Sequence, residues 1–153
     1  MNYREWQDSM PKEITEDALW KMEVYRQALF LSELGWIDAT KLQTVKTTVR
    51  LSSQLYGAVG GISANIAEGY SRKSGKDQAR YYEYALGSAR ESKSWYIQSH
   101  HVLGDDVVNH RLGLLTHVIK QLIVIIPTQR GHRISEESPI YETNPFDEGH
   151  PIP

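Results

Sequence analysis

Apolar side chains recur at every third or fourth position through four successive stretches between residues 15 and 127. Nowhere in that span do they alternate with the period of two that a half-buried strand requires. This periodicity restricts the chain to an all-α fold, with helices expected at about 16–42, 46–68, 75–103 and 106–126. In the first stretch Leu19, Met22, Leu29 and Trp36 form the stripe. Thr15 is its expected N-cap, and Ile14 and Leu19 have the spacing of a hydrophobic staple. The second carries Val45, Val49, Tyr56, Val59 and Ile66 beside Leu51, Leu55, Ala58 and Ile62. Its Gly57, Gly60 and Gly61 are costly in a helix unless another helix approaches closely. Gly69 has the character of a left-handed helix-closing residue.

The third stretch opens on Ser74-Gly75-Lys76-Asp77, a capping-box-like signature, and is expected to close at Gly104. The fourth carries Val108, Leu112, Leu115, Ile119, Leu122 and Ile126 on one stripe and becomes apolar nearly all round by Val118–Ile126, with Pro127 expected to stop the helix. A helix apolar on every side is buried on more than one side. A second subunit is therefore expected there, with Ile119, Ile123, Ile125 and Ile126 as interface candidates. Residues 1–14 read as an N-terminal extension. Residues 128–153, with four prolines and five acidic side chains, read as a flexible tail.

A chain of 153 residues is long enough to bury roughly 70% of its unfolded surface in one domain. It has no cysteine, so disulfides, thiolate metal sites and a cysteine nucleophile are excluded, in keeping with a reducing cytoplasm. The polar N-terminus has no apolar signal region. The longest apolar run, Leu122–Ile126, is too short for a bilayer, so no membrane association is expected. The net charge is -2, but residues 44–93 hold eight basic against four acidic side chains. Arg72, Lys73, Lys76 and Arg80 lie at the centre of this excess, with Tyr70, Tyr81 and Tyr82 as candidate stacking surfaces. They are the candidate nucleic-acid-binding residues.

Catalytic and metal signatures are missing. No glutamate is followed three residues later by a histidine, as a di-metal carboxylate bundle requires, and His-Glu-x-x-His is absent. His110 and His117 could share a helix face, and His100 and His101 are adjacent, but surface or interface roles suit them better. Gly69 to Asp77 has the wrong spacing for a phosphate loop, and no Gly-x-Ser-x-Gly occurs. No cofactor, metal or catalytic residue is assigned. Asn65 and Glu68 are expected to satisfy backbone or arginine groups at the junction of the second and third helices. An enzyme site built there from Asn65, Glu68 and Arg90 is the least favoured reading.

The block Gln54–Gly69, ending Asn65-Ile66-Ala67-Glu68-Gly69, resembles a bacterial four-helix-bundle family first known from intervening sequences in ribosomal RNA genes. The basic loop after it, the block Tyr82–Glu91 with Gly87-Ser88-x-x-Glu91, and Val24–Ala28 share the resemblance, which spans about residues 18–127. It makes Asn65, Glu68, Gly69, Gly87, Ser88 and Glu91 the family's motif residues. It implies an antiparallel up-and-down four-helix bundle, assembled as a homo-oligomer of five copies and without enzymatic activity. The accessory variability protein of diversity-generating retroelements, which associates with a reverse transcriptase and nucleic acid, is a distant relative. Where family members commonly carry arginines, this chain has Tyr56 and Gly57, and it is slightly acidic where the retroelement relatives are basic. The expectation is a cytoplasmic oligomeric binding or scaffold protein whose partners are itself and RNA or a nucleic-acid-processing protein. A protein-only scaffold is the alternative.

Overall fold

The computed structural model describes residues 2–130, 144–146 and 152. Among these residues the chain is all-α, with no strand. The N-terminus forms α1 (Tyr3–Asp8) and α2 (Lys12–Thr15). A 3-10 turn follows at Ala18–Lys21, and then the long helix α3 (Glu23–Gln43). A second 3-10 turn leads into α4 (Val49–Tyr70), followed by α5 (Gly75–Gln98), the single turn α6 (His100–Leu103) and α7 (Asp105–Arg130). The long helices α3, α4, α5 and α7 pack in chain order, and α7 also returns to α3.

Each departure from the expected boundaries has a local cause. Thr15 does not cap the first long helix. The Asp17 carboxylate instead accepts the Leu19 amide at 2.8 Å and winds a 3-10 turn, and Met22 is extended, so α3 begins at Glu23. The third stretch breaks at Ser99, whose hydroxyl donates to the Trp95 carbonyl (2.7 Å). Gly104, at φ 84°, then turns the chain into α7. Gly69 does not close α4, which continues through it to Tyr70. A Cβ on Gly69 would stand 2.8 Å from the Tyr82 ring, so the glycine is there to let α5 come close. Pro127 does not stop α7. Its fixed φ suits a helix, and the turn beyond it is held by the bond from Thr128 to the Val124 carbonyl (3.1 Å) and by Arg130 on Glu83 of α5.

Leu31, Leu42, Leu55, Ile62, Ile66, Leu115, Val118 and Leu122 form the fully buried centre, each contributing about 1.5–3 kcal/mol by its removal from water. Ala85 and Ala89 occupy the buried stripe of α5 and keep that helix close to its neighbours. The N-terminal extension is built into this core. Tyr3 and Trp6 of α1 stack at 5.9 Å and both pack on Phe30 of α3, each at 5.2 Å. Phe146 closes the cluster. It is 5% exposed and lies edge-on to Tyr3 (5.1 Å) and against His117 of α7 (5.6 Å). This part of the C-terminal segment is therefore docked, and residues 131–143, 147–151 and 153 of the expected tail lie outside the described residues.

One ionic network crosses the apolar interior. Arg111 of α7 grips Asp38 of α3 through Nε to Oδ2 (2.8 Å) and Nη2 to Oδ1 (3.2 Å), both side chains being essentially unexposed. The Tyr96 hydroxyl of α5 donates to Asp38 Oδ2 at 3.0 Å. Burial, reinforced by the Asp38 charge, holds the Tyr96 hydroxyl well above its ordinary pKa, so it stays a donor.

α7 is long and apolar enough, by length and composition alone, to cross a membrane, which the short run Leu122–Ile126 does not suggest. Leu114, Leu115, Val118, Ile119, Leu122 and Ile126 are buried in the subunit. Ile119 and Ile126 are therefore not free for a partner. Ile123 and Ile125 are only partly covered, and Val124 is the exposed side chain of that turn.

Candidate nucleic-acid interface

The connection between α4 and α5 is short and ordered. The Ser74 hydroxyl accepts the Asp77 amide (3.1 Å) and caps α5, and the Gln78 side chain donates to the Arg72 carbonyl (3.0 Å). Gly75 is required here because any Cβ would land on the carbonyl oxygen of Gln129, so the end of α7 is pressed against the start of α5. The loop is thereby fixed to the rest of the molecule.

Arg72, Lys73, Lys76 and Arg80 are all exposed around this junction. Arg72 pairs with Glu68 one turn back and also donates to the Tyr81 hydroxyl (3.0 Å). Its guanidinium lies 4.6 Å from the centre of the Tyr81 ring, and that of Arg80 lies 5.6 Å from it. The two arginines are thus organised around one aromatic ring, an arrangement that fixes their direction at little entropic cost. The proposed stacking surfaces divide. Tyr82 is buried, its hydroxyl pushed to higher pKa by burial and then by Tyr70, and Tyr81 is covered by arginine. Tyr70 is exposed, as is Tyr84, which is not among the expected stacking surfaces. Tyr84 meets Tyr81 edge to face at 5.5 Å and 87°.

Of the motif residues, Gly69 and Ser88 lie in the α4–α5 seam, whereas Glu68, Gly87 and Glu91 are exposed. Asn65 donates to the Gly61 carbonyl (2.8 Å), and the Ser88 hydroxyl lies 3.0 Å from where a Gly61 Cβ would be. Gly87 is open, and Glu91 accepts from the Trp95 indole (3.1 Å). Asn65 is thus bonded to a carbonyl inside its own helix, one turn back, and not to an end group of the junction as expected. Glu68 pairs with arginine as expected, but on the surface and with Arg72, so its loss would cost about 0–1 kcal/mol and not the penalty of a buried group. Arg90 sits instead beside Lys93, whose pKa is lowered by burial and by the charges of Lys120 and Arg90. Among the described residues no group of three metal-binding side chains converges.

Two features escaped the sequence. One is the basic group Arg90, Lys93 and Lys120, which comes together only through the packing of α5 on α7. The other is the Asp38–Tyr96–Arg111 network, whose members are 58 and 73 residues apart. In neither case does any spacing along the chain announce the contact.

Among the described residues the chain is thus all-α, with an arginine–tyrosine cluster at its α4–α5 junction. Residues 20–123 match the family model described as 23S rRNA-intervening sequence protein, and the chain belongs to that family. No curated protein and no solved structure matches it.

Proposed function

We propose that this protein is a cytoplasmic, non-enzymatic scaffold. In this reading α3, α4, α5 and α7 form an antiparallel up-and-down four-helix bundle, five copies assemble, and the α4–α5 junction contacts RNA or a nucleic-acid-processing protein. The observation that carries the nucleic-acid contact is the pair Arg72 and Arg80 held on the Tyr81 ring beside exposed Lys73 and Lys76. The family's name, with its reference to ribosomal RNA, is compatible with it. Short connections at 44–48, 71–74 and 99–104 favour antiparallel neighbours.

Contacts from four side chains per subunit are few, so affinity depends on assembly and salt and is nearly indifferent to sequence. The test is retention on immobilised RNA at low salt, comparing wild type with Arg72→Glu/Lys73→Glu/Lys76→Glu. The triple variant should lose binding while keeping the mass of the assembly in light scattering. Undiminished retention places the contact elsewhere. No retention by the wild type, at low salt, leaves the protein-only scaffold. That second reading is favoured by the exposed pair Trp36 and Tyr56, edge to face at 5.7 Å on α3 and α4.

A further inference from the structure

Lys76, Arg80 and Tyr84 are spaced four residues apart on α5, and all three are exposed. Residues at that spacing lie on one helix face and advance about 6 Å per step. The stripe therefore runs from the cationic junction to an aromatic ring. That ring is 51% exposed and is braced edge-on by Tyr81, itself fixed under Arg72. Of the nearby carboxylates, Glu83 is engaged by Arg130 and Glu68 by Arg72, which leaves Lys76 and Arg80 to carry the positive charge of this face, with Asp77 the acid of the first turn.

Resting on the nucleic-acid reading above, we propose that this face of α5 is a track for a single-stranded polynucleotide, with phosphates on Lys76 and Arg80 and a base stacked on Tyr84. A base has an exposed face only when it is unpaired. A ring on a convex helix surface cannot reach the stacked bases of a duplex, whose grooves present edges, sugars and phosphates. Cations without the ring would accept duplex and single strand alike. The ring converts a phosphate-binding end into a surface that discriminates between them, without reading sequence.

The test uses the full-length protein and fluorescence anisotropy at low salt. The probes are a labelled oligouridylate and a labelled blunt RNA duplex of equal length. Wild type should prefer the single strand. Tyr84→Ala should weaken single-strand binding about tenfold, leave duplex binding unchanged and keep the wild-type mass, while Tyr84→Phe should behave as wild type. If Tyr84→Ala alters the mass, Tyr84→Leu, which keeps apolar bulk without an aromatic face, carries the same comparison. Equal binding of both probes, unaffected by Tyr84→Ala and lost in the triple junction variant, overturns the track and leaves the junction reading intact. A single-strand preference that survives loss of the ring also overturns the assignment to Tyr84. Binding of neither probe by wild type overturns the nucleic-acid reading and the track with it.

Discussion

The buried Asp38–Arg111 pair sets the sharpest energetic expectations at the scale of single residues. Asp38→Ala leaves the Arg111 guanidinium buried without its carboxylate and should cost about 3–5 kcal/mol in denaturant unfolding. The double replacement Asp38→Leu/Arg111→Met removes both charges together and should recover most of that loss, leaving about 1–3 kcal/mol for the Tyr96 hydroxyl, whose acceptor it also removes. If the double variant is instead as damaged as Asp38→Ala, the pair's value lies in its hydrogen-bond geometry. Tyr96 adds a pH signature. Its folded pKa is raised while the unfolded tyrosine ionises near its ordinary value, so above that value the unfolded state sheds its proton first. Stability should be intact below about pH 10 and fall as the pH rises beyond it. Tyr96→Phe should cost about 1 kcal/mol at neutral pH and flatten the part of the alkaline loss due to this group, read from urea midpoints across the pH series. None of this was legible beforehand. A lone Asp, Tyr and Arg on three helices look like surface residues until packing brings them together.

Periodicity located the four long helices at the scale of elements because each buries a stripe, and a stripe survives errors of register. The ends were harder to place. A side chain such as Asp17 or Ser99 can redirect one turn without disturbing the stripe, and Pro127 is compatible with the helix it was expected to end. The glycines show the same division. Gly57, Gly60 and Gly61 looked alike in sequence, yet only Gly61 meets a neighbour, Ser88, while Gly57 and Gly60 have open space where a Cβ would stand. Gly57→Ala and Gly60→Ala should therefore each stabilise the isolated subunit by about 0.5–1 kcal/mol. Gly69→Ala, aimed at the Tyr82 ring, should destabilise it by about 1–3 kcal/mol. Thermal melts of the three variants in parallel check the contrast, and a stabilising Gly69→Ala would show that Tyr82 can move aside.

For the whole molecule, two surfaces are open to the proposed assembly, the turn Ile123–Ile125 of α7 and the outer side of α3 and α4. Ile119 and Ile126 serve the subunit's own core, whereas Trp36 is 59% exposed and Tyr56 43%, with Val45 and Val49 exposed on the same pair of helices or their connection. Light scattering should return a mass near five times the 17.5 kDa chain. Trp36→Lys/Tyr56→Lys should lower it without reducing helix content by circular dichroism. A wild-type mass equal to one chain rejects the homo-oligomer, and an unaltered mass in the double variant rejects this surface. The family blocks made the overall class readable from sequence, but they say nothing about residues outside 20–123, where Tyr3, Trp6 and Phe146 lie. That last contact links two segments that are remote along the chain. Because Tyr3 and Phe146 touch, each ring shields the other, and the two are coupled in stability. Tyr3→Ala and Phe146→Ala together should therefore cost less in urea unfolding than the sum of their separate losses, and strictly additive losses would show the contact to be energetically silent.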